Sequence, residues 1–206
     1  ADVSASYIGQ FRILHFGTLS STHPENRAAT RTALDIAKRA GLAISFDPNL
    51  RPMLWDSPDD ARAEMLYGLD QADIVKISDD EIMFLVPDAS TPTEGAERLM
   101  KNHPGIKILF ATLGAGGSAV LCNGRTVSAP TFTGIPAVEK TGAGDTFMGA
   151  ALACLLESDT PFGMNDEALR QTLLFANAAA TICASRKGAL KSMPERDEIV
   201  ELLRML

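Results

Sequence analysis

The segment Val138-Glu139-Lys140-Thr141-Gly142-Ala143-Gly144-Asp145-Thr146-Phe147 crowds small residues around one carboxylate, just ahead of a long apolar run. Small residues at 142 to 144 let backbone N–H groups approach an anion closely, and a helix that starts there adds its positive end. A phosphoryl oxygen would be held there without a competing side chain. An acid at the same place repels phosphate. Asp145 is therefore either an ordinary first-turn acid favoured by the helix dipole, or a base that accepts a proton from an attacking hydroxyl.

Three further segments carry polar groups with chemistry open to them. In "SFDPNLRPMLW", which holds Asp47, Asn49, Arg51 and Trp55, Pro48 stiffens a turn. Asn49 and Arg51 can alternate toward one side of an extended segment, and Arg51 can recognise a carboxylate or phosphate by paired hydrogen bonds. Equally, the turn simply ends a strand and Arg51 pairs with a surface acid. In "KISDDEIMFL", Ser78 and Glu81 have capping-box spacing. Alternatively Glu81 stands near a hydrated Mg2+, an ion that keeps waters and takes few direct carboxylates. In "ATLGAGGSAV", nucleotide phosphates or sugar could lie on bare backbone, although a hairpin rather than a helix follows it. No G-x-x-x-x-G-K-[ST] loop occurs, which argues against a P-loop NTPase. His15, His23 and His103 lack paired ligand spacing, which argues against zinc or a catalytic triad; His15 is expected in a buried strand.

The elements that must position these groups alternate between short β-rich runs and helical periods. Strands are expected at 11–16, 42–46, 73–77 and 106–114. Helices are expected at 24–41, with Pro24 near the first turn and Gly41 as the stop, at 57–72 with Ser57 as N-cap, at 79–85 and at 93–103. A hairpin over "SAVLC-NG-RTVSAP" turns on Asn123-Gly124, the dipeptide that best tolerates a type I′ turn. Helices at 143–157, 166–185 and 194–206 complete the chain. Such alternation predicts an α/β fold, a mostly parallel sheet with helices on both faces in three layers, as a single domain over 1–206. Ligands of such sheets bind outside the carboxyl ends of the strands, where "DPNLR", "SDDE" and "LGAGG" fall.

Composition narrows the partners. The 206 residues are 46% hydrophobic and 22% charged, enough for one sizeable core. A formal charge of -7 leaves no basic stripe for nucleic acid. No apolar run reaches the ~20 residues a membrane helix needs, and no basic-then-apolar signal pattern opens the chain. Cys122, Cys154 and Cys183, odd in number and set in apolar surroundings, fit buried thiols of a reducing cytosol, so a cytoplasmic location is expected.

Taken in order, "KISDDEIMFL", "TLGAGGSAV", "TGAGDTFMGA" and "FANAAATICASRKGA" resemble the ribokinase-like (PfkB) family of carbohydrate kinases, over nearly the whole chain. They look like its magnesium-associated helix start, nucleotide-loop strand, C-terminal signature, and late helix and loop beside the adenine. "FDPNLRPMLW" narrows the resemblance toward fructokinases, with 2-keto-3-deoxygluconate kinases close behind. The resemblance implies ATP-dependent phosphorylation of a sugar primary hydroxyl, with ATP and Mg2+ as cofactors. By it, Asp145 is the base and also touches the sugar, and Gly142, Ala143 and Gly144 form the anion hole. Thr112, Gly114, Gly117 and Asn177 line the ATP site, Asn49 and Arg51 contact the sugar, and Glu81 places Mg2+ through water.

Two departures bear on metals. Glu139-Lys140 stands where the family usually has Asp-Thr, the Asp belonging to a monovalent-cation site that Thr141, Gly188 and Ser192 also match. Glu139 can still reach K+, or Lys140 can supply the charge internally; both readings stand. Ser78 stands where many members have Asn. A third departure is that the resemblance starts about a third of the way into the family's chain. The lid sheet, a sugar-binding acid and a glycine pair of the N-terminal third are expected to be absent, with poor sugar binding, slow or no phosphorylation by this chain alone, and apolar surface favouring association. Lid-mediated homodimers would belong to the full-length form. A reading of another class is a non-catalytic nucleotide-binding or scaffold protein.

Overall fold

The computed structural model describes residues 3–205. Its six strands form a mixed sheet in which spatial order follows chain order. The chain divides between Leu109 and Phe110 into two compact units.

In the first unit, α1 (Ala5–Ile8) precedes β1 (Ile13–Gly17), and α2 (Pro24–Arg39) leads to β2 (Ala43–Asp47). Next come α3 (Pro58–Gln71), β3 (Ile74–Ser78), α4 (Asp79–Leu85) and α5 (Pro92–Asn102). β1 and β3 both pair in parallel with β2, with Gly17 opposite Asp47 and Ser45 opposite Ile74. β2 and β3 are nearly continuous buried runs, as strands covered on both faces must be. Each full removal of a side chain such as Phe46 or Ile77 from water contributes about 1.5–3 kcal/mol.

Helix starts follow local chemistry. Ser57 accepts the Asp60 N–H and Thr91 accepts the Glu94 N–H, each followed by proline in the first helical turn. Ser78 and Glu81 close the expected capping box. β1 departs from expectation. It begins two residues later than predicted, and its residues are half-buried or exposed, because it lies at the end of the strand order. His15 is accordingly exposed, with Nδ1 2.9 Å from Ser45 Oγ. Phe11 leaves the strand and packs edge-on against Tyr7 at 5.1 Å.

β4 (Ile108–Thr112) crosses the boundary. In the second unit, β5 (Ser118–Cys122) and β6 (Arg125–Ala129) pair antiparallel around Asn123 and Gly124, both at positive φ as the turn requires. Helices α6 (Ala143–Glu157) and α7 (Asp166–Ala184) follow, then the short α8 (Ala189–Ser192) and α9 (Arg196–Arg204). α8 was not expected, and the last helix starts two residues late because Glu195 and Glu198 form its capping box. Phe147 and Met148 of α6 and Leu169, Leu173 and Ala176 of α7 are buried.

Candidate active site

In the first unit the candidate groups gather at the carboxyl ends of β1, β2 and β3. Asn49 sits at φ 46°, one of two non-glycine residues at positive φ among those described; the other belongs to the hairpin turn. A non-glycine residue there costs roughly 1–3 kcal/mol and persists only where its surroundings over-determine it. They do. The Pro48 carbonyl accepts both the Thr18 N–H at 3.3 Å and the Thr18 hydroxyl at 2.5 Å. Asp47 Oδ1 accepts the Asn49 N–H at 3.1 Å, and Glu81 Oε1 accepts the Leu50 N–H at 2.7 Å.

Beneath this turn, the Lys76 ammonium lies 3.2 Å from Asp47 Oδ1 and 3.1 Å from Oδ2. Both side chains are buried, 7% and 4% exposed, so the charges are carried as a pair. Arg51 projects into solvent, with Nη1 donating to the Leu50 carbonyl at 2.9 Å. Glu81 is buried, and its second oxygen accepts the Ser78 N–H at 2.8 Å. Each oxygen of an ionised carboxylate has two acceptor positions. The box thus leaves Glu81 able to hold a metal-bound water while both oxygens stay anchored to backbone.

In the second unit, α6 opens on Gly142 at φ 84°, with no side-chain cap. A Cβ at 142 would stand 3.3 Å from Ala189 Cα and 3.4 Å from its Cβ. The Gly142 carbonyl accepts the Thr146 N–H at 2.8 Å and the Thr146 hydroxyl at 2.7 Å, which anchors the first turn. The Ala143 N–H turns back to the Lys140 carbonyl at 3.2 Å. Gly144 and Asp145 occupy the next first-turn positions, where a helix has no carbonyl of its own to offer their amides. Asp145 is exposed there.

Glu139, Thr141, Gly188 and Ser192, far apart in sequence, come together around this helix start. The Glu139 carboxylate accepts the Gly188 N–H at 3.0 Å. That bond, then the Thr141 hydroxyl and the Lys187 charge, holds its carboxyl below the ordinary glutamate range. Ser192 is buried, its hydroxyl 3.2 Å from Cys183 Sγ, and that thiol faces the Thr141 carbonyl at 3.9 Å. Lys140 is exposed and forms no ion pair among the described residues.

Thr112 ends β4 half-buried, and the loop after it closes through the Leu113 N–H to the Gly117 carbonyl at 2.9 Å. Gly114 and Gly117 both have positive φ, and a Cβ at 117 would fall 2.2 Å from the Ala129 carbonyl. Asn177, buried on α7, donates its amide to the carbonyls of Ala129 at 3.4 Å and Pro130 at 3.0 Å. Gly117 and Asn177 thus meet the same end of β6. Sequence reasoning missed Lys76 and Thr18. A lysine inside the apolar run "DIVKI" was the available signal, since a buried ammonium requires a partner.

Among the described residues no cluster of three or more His, Cys, Asp or Glu is placed to hold a metal, so a Mg2+ here would depend on phosphate oxygens and water. No described helix is long and apolar enough to cross a membrane.

The family described as "pfkB family carbohydrate kinase" matches residues 1–196. "Probable fructokinase-2" of Arabidopsis thaliana is 36% identical over 204 residues, covering 99% of this chain and 61% of that protein. The chain therefore spans about three-fifths of that relative's length. A fructokinase double mutant from Vibrio cholerae O395, solved with fructose, ADP and potassium ion bound, superimposes with TM-score 0.85 at 27% identity, over 97% of this chain and 64% of that one. A fructokinase with bound ATP from Xylella fastidiosa gives TM-score 0.86 at 25% identity, over 98% and 64%.

Proposed function

The chain belongs to the pfkB family of carbohydrate kinases, and from that premise we propose that it transfers the γ-phosphoryl group of ATP to a sugar primary hydroxyl, with fructose as first substrate. The observation that carries this reading is the start of α6. A glycine at positive φ, no side-chain cap, small residues at 143 and 144, and an exposed carboxylate at 145 combine an anion cradle with a base. Fructokinases among the relatives, one of them holding fructose, ADP and potassium, support the choice of sugar.

Phosphoryl transfer passes through a loose transition state, so positioning and charge stabilisation supply most of the catalysis. The Gly142–Gly144 backbone holds the oxygens of the transferring group, and Asp145 takes the proton of the sugar hydroxyl. Thr112, Gly114, Gly117 and Asn177 flank the nucleotide, Asn177 by holding Ala129 and Pro130 in place. Asn49 and Arg51 read the sugar. Mg2+, held through water by Glu81 and directly by the phosphates, would offset the charge that develops on them. Oxygens of Glu139, Thr141, Gly188 and Ser192 would hold K+; the exposure of Lys140 favours Glu139 for that role. Small molecules, not nucleic acid, are the partners, in the cytoplasm.

A second sugar has its own observation. Arg51 is exposed and only its Nη1 is bonded among the described residues, so its guanidinium can grip a carboxylate. That suits 2-keto-3-deoxygluconate. A coupled ATPase assay with fructose, ribose and 2-keto-3-deoxygluconate separates these substrates. Asp145→Asn should lower turnover by roughly 10²–10⁴-fold, the usual worth of a general base, with little change in unfolding temperature. ATP binding by calorimetry with no turnover on any sugar, in a protein carrying the N-terminal third as well, would instead make this a nucleotide-binding scaffold.

A further inference from the structure

The Asp47–Lys76 pair lies outside the roles assigned above, yet it sits directly under the turn that carries Asn49 and Arg51. Three features converge there. A buried lysine and a buried aspartate are costly to place and are kept only as a pair. The aspartate uses one oxygen to hold the Asn49 N–H, the amide of the residue in left-handed conformation. Two further backbone groups of the turn are taken by neighbouring strand ends: Thr18 after β1 binds the Pro48 carbonyl, and Glu81 after β3 binds the Leu50 N–H. The Pro48 carbonyl and the amides of Asn49 and Leu50 thus have fixed partners in Thr18, Asp47 and Glu81, at or just past the ends of three different strands.

We propose that Lys76 and Asp47 are positioning residues for substrate specificity: they lock the 48–51 turn so that Asn49 and Arg51 meet the sugar in one preset arrangement. Lys76 neutralises and orients Asp47, and Asp47 fixes Asn49. Without the lock, Asn49 returns to an extended or right-handed conformation, which re-aims both its own side chain and Arg51. Displacements of about 1 Å at such a contact suffice for large losses in binding or rate. The bonds that the pair makes hold the 48–51 turn, so its effect falls on the sugar.

This inference rests on the sugar-kinase reading for its kinetic consequence, but its structural part can be read separately. The test uses Asp47→Leu with Lys76→Met in one chain. That change removes both charges together and leaves no buried ion uncompensated. Amide exchange at Asn49 and Leu50 should accelerate about tenfold or more while Phe46 and Ile77 stay protected. The sugar KM should rise about tenfold or more, with the ATP KM and kcat within about twofold of the unaltered chain. If the double variant does not unfold cooperatively, Thr18→Val carries the same two readouts, since it deletes only the hydroxyl bond to Pro48. Unchanged exchange at Asn49 overturns the proposal, as does a loss shared equally by the sugar KM, the ATP KM and kcat. Absence of phosphorylation by the full-length protein would count against the kinase reading instead, and exchange alone would then decide the lock.

Discussion

Two glycines of α6 test whether the geometry of its start is imposed by backbone chemistry. Gly142 holds φ 84°, and a Cβ placed on it would meet Ala189 at 3.3 to 3.4 Å. Gly149 lies in the middle of the same helix, exposed, with nothing within 4 Å of its imagined Cβ. The same replacement by alanine should therefore have opposite signs at the two sites. At 142 an L-residue in the left-handed region costs roughly 1–2 kcal/mol. Ala189 belongs to a four-residue helix and can yield the few tenths of an ångström the methyl needs, so the contact adds little. At 149 alanine relieves the entropic penalty of a helical glycine, a gain of about 0.5–1 kcal/mol.

For a chain of this size 1 kcal/mol moves the unfolding temperature by about 2–4 °C. Gly142→Ala should then melt about 2–8 °C lower and Gly149→Ala about 1–4 °C higher, as followed by circular dichroism. Turnover should fall in Gly142→Ala, because the first-turn amides tilt away from the phosphoryl group, and hold in Gly149→Ala. A Gly142→Ala protein as stable and active as its parent would refute the claim that the left-handed glycine builds the cradle.

Glu139 makes a pH-dependent contribution. Its carboxyl is held below the ordinary glutamate value, first by the Gly188 N–H and then by the Thr141 hydroxyl. A lowered folded value stabilises the fold above the unfolded value of about 4.3, and that contribution is lost as pH falls through the depressed value. Urea midpoints measured between pH 6 and 3 should drop less steeply in Glu139→Gln than in the parent; equal slopes would deny the bond. Burial pushes the thiols of Cys122 and Cys154 up, with the Glu157 charge adding to it at Cys154. Both should stay protonated at pH 8 and alkylate at least about tenfold more slowly in the native than in the urea-unfolded chain, as counted by mass spectrometry. Rapid native labelling of either one would contradict its burial.

What could be read from the sequence were features written within one or two turns of chain. Ser57 before Pro58, Asn123-Gly124, and Ser78 three residues ahead of Glu81 each carry their hydrogen-bond partner nearby, and each forms as expected. The start of α6 was legible for the same reason: its glycines and its acid are adjacent. β1 was misjudged because an apolar run does not tell whether a strand has neighbours on one side or two. The turn at Asn49 was out of reach, since Thr18, Lys76 and Glu81 lie 29 to 31 residues from the groups they bind there.

Glu81 makes the physical lesson specific. Its spacing from Ser78 allows a helix cap or a functional carboxylate, and from sequence these look like rivals. In the structure the cap consumes one oxygen at Ser78 and thereby turns the other toward the Leu50 N–H. Capping is the means by which the carboxylate is held at the end of β3, buried and oriented, with acceptor capacity left for water on a metal. A plain cap would tolerate Glu81→Gln, whose amide oxygen can still receive the Ser78 N–H. It would not explain why the second oxygen reaches across to the turn after β2. A glutamine must offer its NH2 to one of two backbone donors, so one bond becomes a clash of donors. The residue that a sequence rule explains completely is for that reason the one whose second role the rule conceals.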